Sequence, residues 1–108
     1  MNNKNKYKNY KTELDGHVFD SQKEAKRYAE LKLLEKAEHI SNLEIQKKHP
    51  IVFKNIHICN YVADFDYIQD GEKITEDVKS AMTAKLPVYR LKRKLFYVAY
   101  GYEITEYQ

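Results

Sequence analysis

The sequence is poor in several residues that define protein classes: its 108 residues include one cysteine, three glycines, two prolines and no tryptophan. The lone Cys59 excludes an intrachain disulfide and a cysteine-based zinc site, and it fits a reducing cytosol. Three glycines form no glycine-rich phosphate loop, so we expect no nucleotide cofactor. No apolar run approaches the roughly 20 residues of a membrane span, and no apolar h-region follows Met1. We therefore expect a cytoplasmic protein that is neither secreted nor inserted in a membrane.

The charged residues are unevenly distributed along the chain. The formal net charge is only +3, but residues 1–11 and 81–100 carry basic side chains and no acid. Within residues 60–80, by contrast, most of the charged side chains are acidic. Basic segments suit a polyanion such as nucleic acid. We expect residues 1–11 to form a flexible basic arm, and residues 12–108 to form a single domain large enough for one hydrophobic core.

The local patterns predict a mixed α/β fold. Two short extended pieces flank a turn at Asp15-Gly16, and Ser21 with Glu24 forms a helix-capping pair. Pro87 suits the first position of a second helix. The predicted order is helix (22–38), three strands (43–53, 57–68 and 73–80), a helix from residue 87, and a closing strand (102–107).

Each helix has an apolar pattern that predicts how it packs. The apolar residues of the first helix occupy more than one stripe, so we expect it to be covered over much of its circumference. In the second helix one apolar stripe recurs at helical spacing and predicts the face that meets the core. That stripe consists of Val88, Leu91, Leu95, Val98 and Ala99.

The second and third strands form a hairpin that pairs two acids. If Asp70 and Gly71 are its loop residues, Asp64 lies directly opposite Asp77. Two carboxylates at ~5 Å and an effective dielectric of ~20 repel by about 3 kcal/mol. Protonation, the nearby Lys79 or a bound divalent cation would relieve that repulsion. The alternative is a solvated outer face on which acids and lysines alternate.

These residues carry a family resemblance. Asp64 together with Asp77-Val78-Lys79 resembles the PD-(D/E)xK motif of the restriction-endonuclease-like nuclease superfamily, with Ala63 in place of the motif's proline. More narrowly, the chain resembles the DUF1064-like proteins, a small phage- and prophage-encoded family of unknown function with predicted nuclease activity. This resemblance covers nearly the whole chain from residue 11 onward, and its main stretches are 11–16, 19–28, 30–34, 40–43, 61–65, 76–79 and 89–96.

The resemblance implies a restriction-endonuclease-like core, in which a mixed sheet is flanked by two main helices. It also implies Mg²⁺-dependent hydrolysis of DNA by a phage-type endonuclease in a bacterial host, with Mn²⁺ as a substitute. Lys79 would stabilise developing negative charge or orient the attacking water, and Glu24 would reach the metal directly or through water. Alternatively, Glu24 is a first-turn acid favoured by the helix dipole. The implied catalytic residues are Asp64, Asp77, Lys79 and Glu24, and the implied metal ligands are Asp64, Asp77, Glu24 and the Val78 carbonyl.

DNA binding is expected from the second helix and the segment before it. Lys92 shares a helical stripe with Tyr89 and Phe96, so we expect it to lean toward the active site. With no further domain to read bases, we expect selection by DNA structure, such as flaps or junctions. Cutting both strands needs two sites, for which a homodimer is the simplest geometry. The candidate DNA-binding residues are Lys85, Arg90, Lys92, Arg93 and Lys94.

Other functions stay open. The four histidines show no H-x-x-x-H or H-x-H spacing, so a zinc hydrolase is not expected. The main alternative is a non-catalytic nucleic-acid-binding protein or an inactive nuclease relative with a regulatory role. An adaptor for another protein is a third, and it would need an exposed apolar patch. The combination of Asp64, Asp77 and Lys79 favours the nuclease, because simple binding does not need it.

Overall fold

The computed structural model describes residues 11–108, so the basic arm predicted over 1–11 lies outside the described residues except for Lys11. Within this range, no helix is both long enough and apolar enough to cross a bilayer. A short hairpin precedes the helix, three strands, helix and strand that the sequence predicts. The elements are β1 (Thr12–Leu14), β2 (His17–Phe19), α1 (Gln22–Lys36), β3 (Ser41–Phe53), β4 (Ile56–Gln69), β5 (Glu72–Val78), a short 3₁₀-helix (Thr83–Lys85), α2 (Pro87–Tyr100) and β6 (Thr105–Tyr107).

Strands β3 to β6 form one mixed sheet in the order β3-β4-β5-β6, while β1 and β2 form a separate two-stranded sheet. The β3–β4 and β4–β5 pairs are antiparallel, and β6 runs parallel to β5. Parallel neighbours need a crossover connection, which α2 provides between β5 and β6. The structure therefore confirms a mixed α/β fold with a four-stranded mixed sheet and two main helices.

Helix α1 begins at the predicted cap but buries only one side. The Ser21 hydroxyl accepts a hydrogen bond from the Glu24 backbone N–H at 3.1 Å. The buried residues of α1 are Ala25, Tyr28 and Leu31, which lie on one stripe, whereas Leu33 is 68% exposed. The expectation of packing over much of the circumference is therefore wrong, because α1 contacts the sheet and the β1–β2 hairpin on one side only.

Helix α2 faces the sheet with a stripe that shares only Leu95 with the predicted one. Leu95 packs against the core cluster, whereas Val88, Leu91, Val98 and Ala99 are exposed. Phe96 is fully buried, and Tyr89 packs against the same cluster. The prediction fails because aromatic side chains bury more apolar surface than valine or leucine, so the stripe that contains two of them faces the core.

Both faces of the four-stranded sheet are covered. Phe65 and Tyr67 of β4 pack in the cluster formed with α1. Asp66, between them, contacts His49 at 3.0 Å, and the His49 ring packs edge-on against Phe96 of α2. Because successive strand residues point to opposite faces, α1 and α2 cover opposite faces of the sheet.

The acidic face of the hairpin is consequently buried rather than solvated. Asp66, Thr75 and Asp77 are each less than 9% exposed. The Thr75 hydroxyl donates to the Asp66 carboxylate at 2.7 Å. The alternative of a solvated outer face is therefore wrong, because α2 and the segment that follows it cover these side chains.

A buried ion pair fixes α1 on the sheet. Glu76 of β5 is 1% exposed, and Arg27 of α1 donates to both of its carboxylate oxygens, at 2.8 and 2.9 Å. The Tyr67 hydroxyl donates to the same carboxylate at 2.8 Å. Burial, followed by this hydrogen bond, raises the pKa of Tyr67 to about 12. These contacts hold the start of α1 beside the end of β5.

Candidate active site

The β4–β5 hairpin has the predicted register. Its turn residues, Asp70 and Gly71, have φ values of 52° and 80°, as a tight hairpin turn requires. Strand pairing continues from the turn to the pair formed by Phe65 and Glu76, which are the neighbours of Asp64 and Asp77 on the turn side. The two acids therefore lie at the point where the regular ladder ends.

Asp64 and Asp77 are joined by reciprocal side-chain to backbone hydrogen bonds. The Asp64 backbone N–H donates to Asp77 Oδ1 at 3.0 Å. In the opposite direction, the Val78 backbone N–H donates to Asp64 Oδ2 at 2.8 Å. Each carboxylate thus satisfies the backbone of the neighbouring strand, and the two side chains are held next to each other.

Strand β4 is irregular at Asp64. Ala63 belongs to the cluster that packs on α2, whereas Phe65 belongs to the cluster that packs on α1. In a regular strand, residues two apart share a face. On β3, Gln46 lies between the partners of Ala63 and Phe65, and its φ is 50°. Asp64 therefore occupies the position where β4 changes the face that it presents, with its carboxylate against the backbone of β5.

The two aspartates differ in how many of their oxygens are already bonded. Asp77 is 2% exposed, and its second oxygen accepts a hydrogen bond from the Tyr61 hydroxyl. Asp64 is only partly buried, and its Oδ1 accepts no hydrogen bond from the residues that the structure describes. Asp77 is accordingly the fixed member of the pair, and Asp64 presents the more available oxygen.

Glu24 and Lys79 complete what we call the carboxylate cluster, namely Glu24, Asp64, Asp77 and Lys79. Glu24 lies in the first turn of α1, and both Glu24 and Lys79 act electrostatically on Asp64. Lys79 directly follows β5, and its backbone N–H donates to the Tyr107 carbonyl at 2.9 Å. The four predicted catalytic residues, which are distant along the chain, are thus brought together at one end of the sheet.

The cluster holds more negative charge than its surroundings neutralise. Burial raises the pKa of Asp64 to about 7, and repulsion from Glu24 and then Asp77 adds to this effect. Burial also raises the pKa of Glu24, followed by repulsion from Asp20, while Lys79 opposes both shifts. A bound cation would favour the ionised form of Asp64 and relieve this repulsion.

The donor set suits a hard divalent cation that is completed by other ligands. Within residues 11–108, no three carboxylate, imidazole or thiol side chains form a metal-binding group by themselves. Mg²⁺ typically takes one or two carboxylates and fills its remaining positions with water and phosphate oxygens. Asp64, Asp77 and the Val78 carbonyl fit that requirement. Glu24 does not join the aspartates as a third member of such a group, which favours a contact through water.

Lys92 is the basic residue of α2 that shares a cavity with members of the cluster. It lines a cavity of about 320 Å³ together with Asp77 and Lys79. This is the stripe predicted from its spacing to Tyr89 and Phe96. The cavity is otherwise apolar, so Lys92 adds a second positive charge beside Lys79.

The other candidate DNA-binding residues lie elsewhere. Arg93 is bound to Glu106 at 3.0 Å and is close to Glu103 at 3.7 Å. Together with Arg90 and Lys94 it lines a separate cavity of about 680 Å³. Lys85 is exposed in the short 3₁₀-helix. The basic residues at 85–94 therefore do not form one continuous patch with the cluster.

Two tyrosines of the site were not predicted from the sequence. Tyr61 donates to Asp77, and the Tyr89 ring lies 4.5 Å from the Lys79 ammonium. Burial raises the pKa of both hydroxyls, assisted at Tyr61 by the charge of Asp77 and at Tyr89 by the hydrogen bond to Glu106. With ten tyrosines in the chain, nothing distinguishes Tyr61, and the stripe shared with Lys92 is the one signal for Tyr89.

The comparisons with known proteins give one match. The family described as "Protein of unknown function (DUF1064)" matches residues 4–106, which include the whole carboxylate cluster. No curated protein and no solved structure matches the chain.

Proposed function

The chain belongs to the DUF1064 family, and from the carboxylate cluster we propose that it is a Mg²⁺-dependent endonuclease of the PD-(D/E)xK, restriction-endonuclease-like superfamily. The reaction is hydrolysis of a DNA phosphodiester bond. The observation that carries the proposal is the reciprocal bonding of Asp64 and Asp77 across the end of the β4–β5 ladder, with Lys79 beside them. A protein that only binds nucleic acid has no need to hold a buried and a partly buried acid side by side.

The metal ligands of this proposal are Asp64, Asp77 and the Val78 carbonyl, with Glu24 acting through water. When bound, Mg²⁺ polarises the scissile phosphate and lowers the pKa of the attacking water. Tyr61 orients the Asp77 carboxylate by donating to one of its oxygens. The Val78 backbone N–H orients the Asp64 carboxylate in the same way, by donating to Asp64 Oδ2 at 2.8 Å.

In this mechanism Lys79 stabilises the negative charge that develops on the phosphate. The Tyr89 ring holds the Lys79 ammonium group by a cation–π contact. This group lies beside carboxylates whose negative charge needs a neighbouring positive charge. A positive group placed in advance stabilises negative charge that develops on a phosphate without reorganising during the reaction. Lys92, which lines the same cavity as Asp77 and Lys79, binds a flanking phosphate of the DNA strand.

The substrate of this proposal is branched DNA. Recognition rests on DNA structure, such as a flap or junction. Cleavage of both strands requires two sites, which a homodimer supplies. The exposed side chains of Val88, Leu91 and Val98 on α2 give such a dimer an apolar surface.

A cleavage panel tests the proposal. The protein is incubated with single-stranded, duplex, flap and four-way-junction DNA in Mg²⁺, Mn²⁺ or EDTA. We expect cleavage with either metal and none in EDTA. Asp77→Asn and Lys79→Ala should each abolish cleavage while DNA binding in EDTA stays within about twofold, since one removes a ligand and the other a charge used in the reaction.

The matched control is Asp70→Asn, which removes a carboxylate from the exposed turn of the same hairpin. Asparagine tolerates the positive φ of 52° at this position, so full activity is expected. Because Asp77 is buried, Asp64→Asn serves as a second ligand variant, and circular dichroism checks the folding of each. Cleavage that survives both ligand substitutions contradicts the mechanism.

The second candidate is a non-catalytic nucleic-acid-binding protein or an inactive nuclease relative with a regulatory role. It is favoured by the absence, within the described part of the chain, of a group of three metal-ligating side chains. DNA binding without cleavage in any of the metals tested would select this candidate.

A further inference from the structure

A third cavity lies on the α2 side of the sheet and has no role in the proposed chemistry. Its volume is about 580 Å³, within the range of small-ligand sites, and none of the four residues of the carboxylate cluster lines it. Its walls come from β3, the turn-side halves of β4 and β5, and the end of α2 with the residues that follow. Among its lining residues are Lys48, His49, Asp66, Lys73, Tyr100 and Tyr102.

A buried polar network lies at the wall of this cavity, and its side chains are hydrogen-bonded to one another. His49 and Asp66 are 7% and 8% exposed, and His49 Nε2 lies 3.0 Å from Asp66 Oδ1. The other Asp66 oxygen accepts a hydrogen bond from Thr75, whose hydroxyl also lies 2.8 Å from that of Tyr102. Both oxygens of the buried Asp66 carboxylate thus have protein partners, so this carboxylate is satisfied within the protein and does not need a ligand.

The lysines around the cavity leave positive charge available. Lys47 is paired with Glu44 at 3.2 Å. Lys73 lines the cavity, is exposed, and forms no ion pair with any residue from 11 to 108. Lys48 precedes His49 on β3, and because the His49 ring packs against α2, the Lys48 side chain points to the opposite face of the sheet. With Asp66 bonded internally, the cavity offers the uncompensated ammonium group of Lys73 to a ligand.

Two aromatic rings form a rigid wall. The Tyr100 ring packs against Phe96 at 4.8 Å, and its hydroxyl donates to the Pro50 carbonyl at 2.6 Å. The Tyr102 ring also contacts Phe96, at 5.3 Å, and its hydroxyl is held by Thr75. Tyr100 is nevertheless 39% exposed. A fixed, partly exposed ring beside lysines is the combination that proteins use to bind unpaired nucleotides, by stacking and by contact with phosphates.

We propose that this cavity binds a short unpaired segment of a DNA strand, with its bases against Tyr100 and Tyr102 and a phosphate on Lys73. A duplex keeps its bases stacked inside, so this concave site selects the single-stranded part of a flap or junction. Asp66, which lines this cavity, follows Asp64 of the carboxylate cluster by two residues on β4, about 7 Å along the strand. The inference rests on the proposed function for its ligand class, and it identifies what makes the enzyme selective for branched DNA.

Binding in EDTA tests the inference without cleavage. Fluorescence anisotropy compares a labelled duplex that carries a single-stranded flap with the same duplex without the flap. The wild type should bind the flap substrate about tenfold more tightly. Lys73→Gln should remove most of that preference and leave duplex affinity within about twofold. The control Lys26→Gln makes the same charge change on an exposed position of α1, and it should keep the preference.

A base analogue tests the aromatic wall. When 2-aminopurine replaces a flap base, stacking in the wild-type complex should quench its fluorescence, and Tyr100→Leu should restore the emission. Equal affinity of the wild type for both substrates, or equal loss of the preference in the Lys73 and Lys26 variants, would overturn the inference. Failure of the proposed function looks different: the flap preference persists, but no metal supports cleavage.

Discussion

The ammonium group of Lys79 lies 4.5 Å from the centroid of the Tyr89 ring. The ring is itself fixed, because the Tyr89 hydroxyl donates to Glu106 at 2.6 Å, and Glu106 is also bound by Arg93. This chain of contacts runs from β6 through α2 to the residue after β5. It positions the ammonium group of Lys79 in the carboxylate cluster through the ring of Tyr89.

The first prediction concerns that ring. Tyr89→Leu removes the cation–π contact, which contributes about 1 kcal/mol at a partly exposed site, so we expect the single-turnover cleavage rate to fall roughly fivefold. Tyr89→Phe keeps the ring and should retain most of the rate. Since Lys79 acts on the reaction and not on substrate capture, DNA affinity in EDTA should be the same for both variants. An equal loss of rate in both would mean that the hydroxyl, rather than the ring, is what matters.

The second prediction concerns the pH dependence of stability without metal. The pKa of Asp64 is raised from 3.8 to about 7 in the folded protein. Between these values the folded state holds more protons than the unfolded state, so the contribution of Asp64 to the free energy of unfolding falls as pH rises. That contribution is lost by about pH 7 and stays constant above it.

Urea unfolding in EDTA at acidic and mildly alkaline pH measures this effect. Other carboxylates titrate in the same range, so the quantity to compare is the difference between wild type and Asp64→Asn. We expect wild type to lose stability relative to Asp64→Asn as pH rises from 5 to 8, and Mg²⁺ to restore part of that loss. A difference that does not change with pH would show that Asp64 ionises as an ordinary carboxyl does.

The third prediction concerns the buried ion pair between α1 and β5. Arg27→Met leaves the Glu76 carboxylate buried without its cation, so we expect a loss of about 3 kcal/mol in the free energy of unfolding. The neighbouring Lys26 is exposed, and Lys26→Met should change stability by less than about 0.5 kcal/mol. Urea unfolding of the two variants checks the difference, and similar values for both would contradict a structural role for the pair.

The sequence predicted the parts of this fold that depend on local chemistry. Ser21 caps α1 and Pro87 begins α2, as the sequence predicted. Asp70-Gly71 sets the hairpin register, and the register brings Asp64 beside Asp77. Each of these features is decided by one or two residues and their neighbours in the chain, which is the information that a single sequence contains.

Features that depend on distant contacts were not predictable in the same way. Periodicity predicted a stripe of α2 from which only Leu95 packs against the core, because the packing of Phe96 against β3 and β4 decides which face is buried. No local pattern pairs Glu76 with Arg27, which lies 49 positions away along the chain. The change of face at Asp64 depends on the irregular position of Gln46 on the neighbouring strand, and no local pattern indicates it.

The fourth prediction separates the basic residues of α2. Lys92→Gln and Lys94→Gln remove one charge each, but only Lys92 shares a cavity with Asp77 and Lys79. We expect Lys92→Gln to slow cleavage and to reduce the slope of log affinity against log salt by about one. Lys94→Gln should leave the cleavage rate at saturating DNA unchanged. Identical rates in the two variants would place the scissile strand away from Lys92.

Binding of Mn²⁺ tests the central claim most directly, because it asks whether Asp64 and Asp77 act as one metal site. Electron paramagnetic resonance of free Mn²⁺ follows titration of the wild type, Asp64→Asn, Asp77→Asn and the turn control Asp70→Asn. We predict one site in the wild type and in the control, with each of the other two variants weakening it at least about tenfold, because each removes one carboxylate ligand. Equal Mn²⁺ binding by all four proteins would contradict the account.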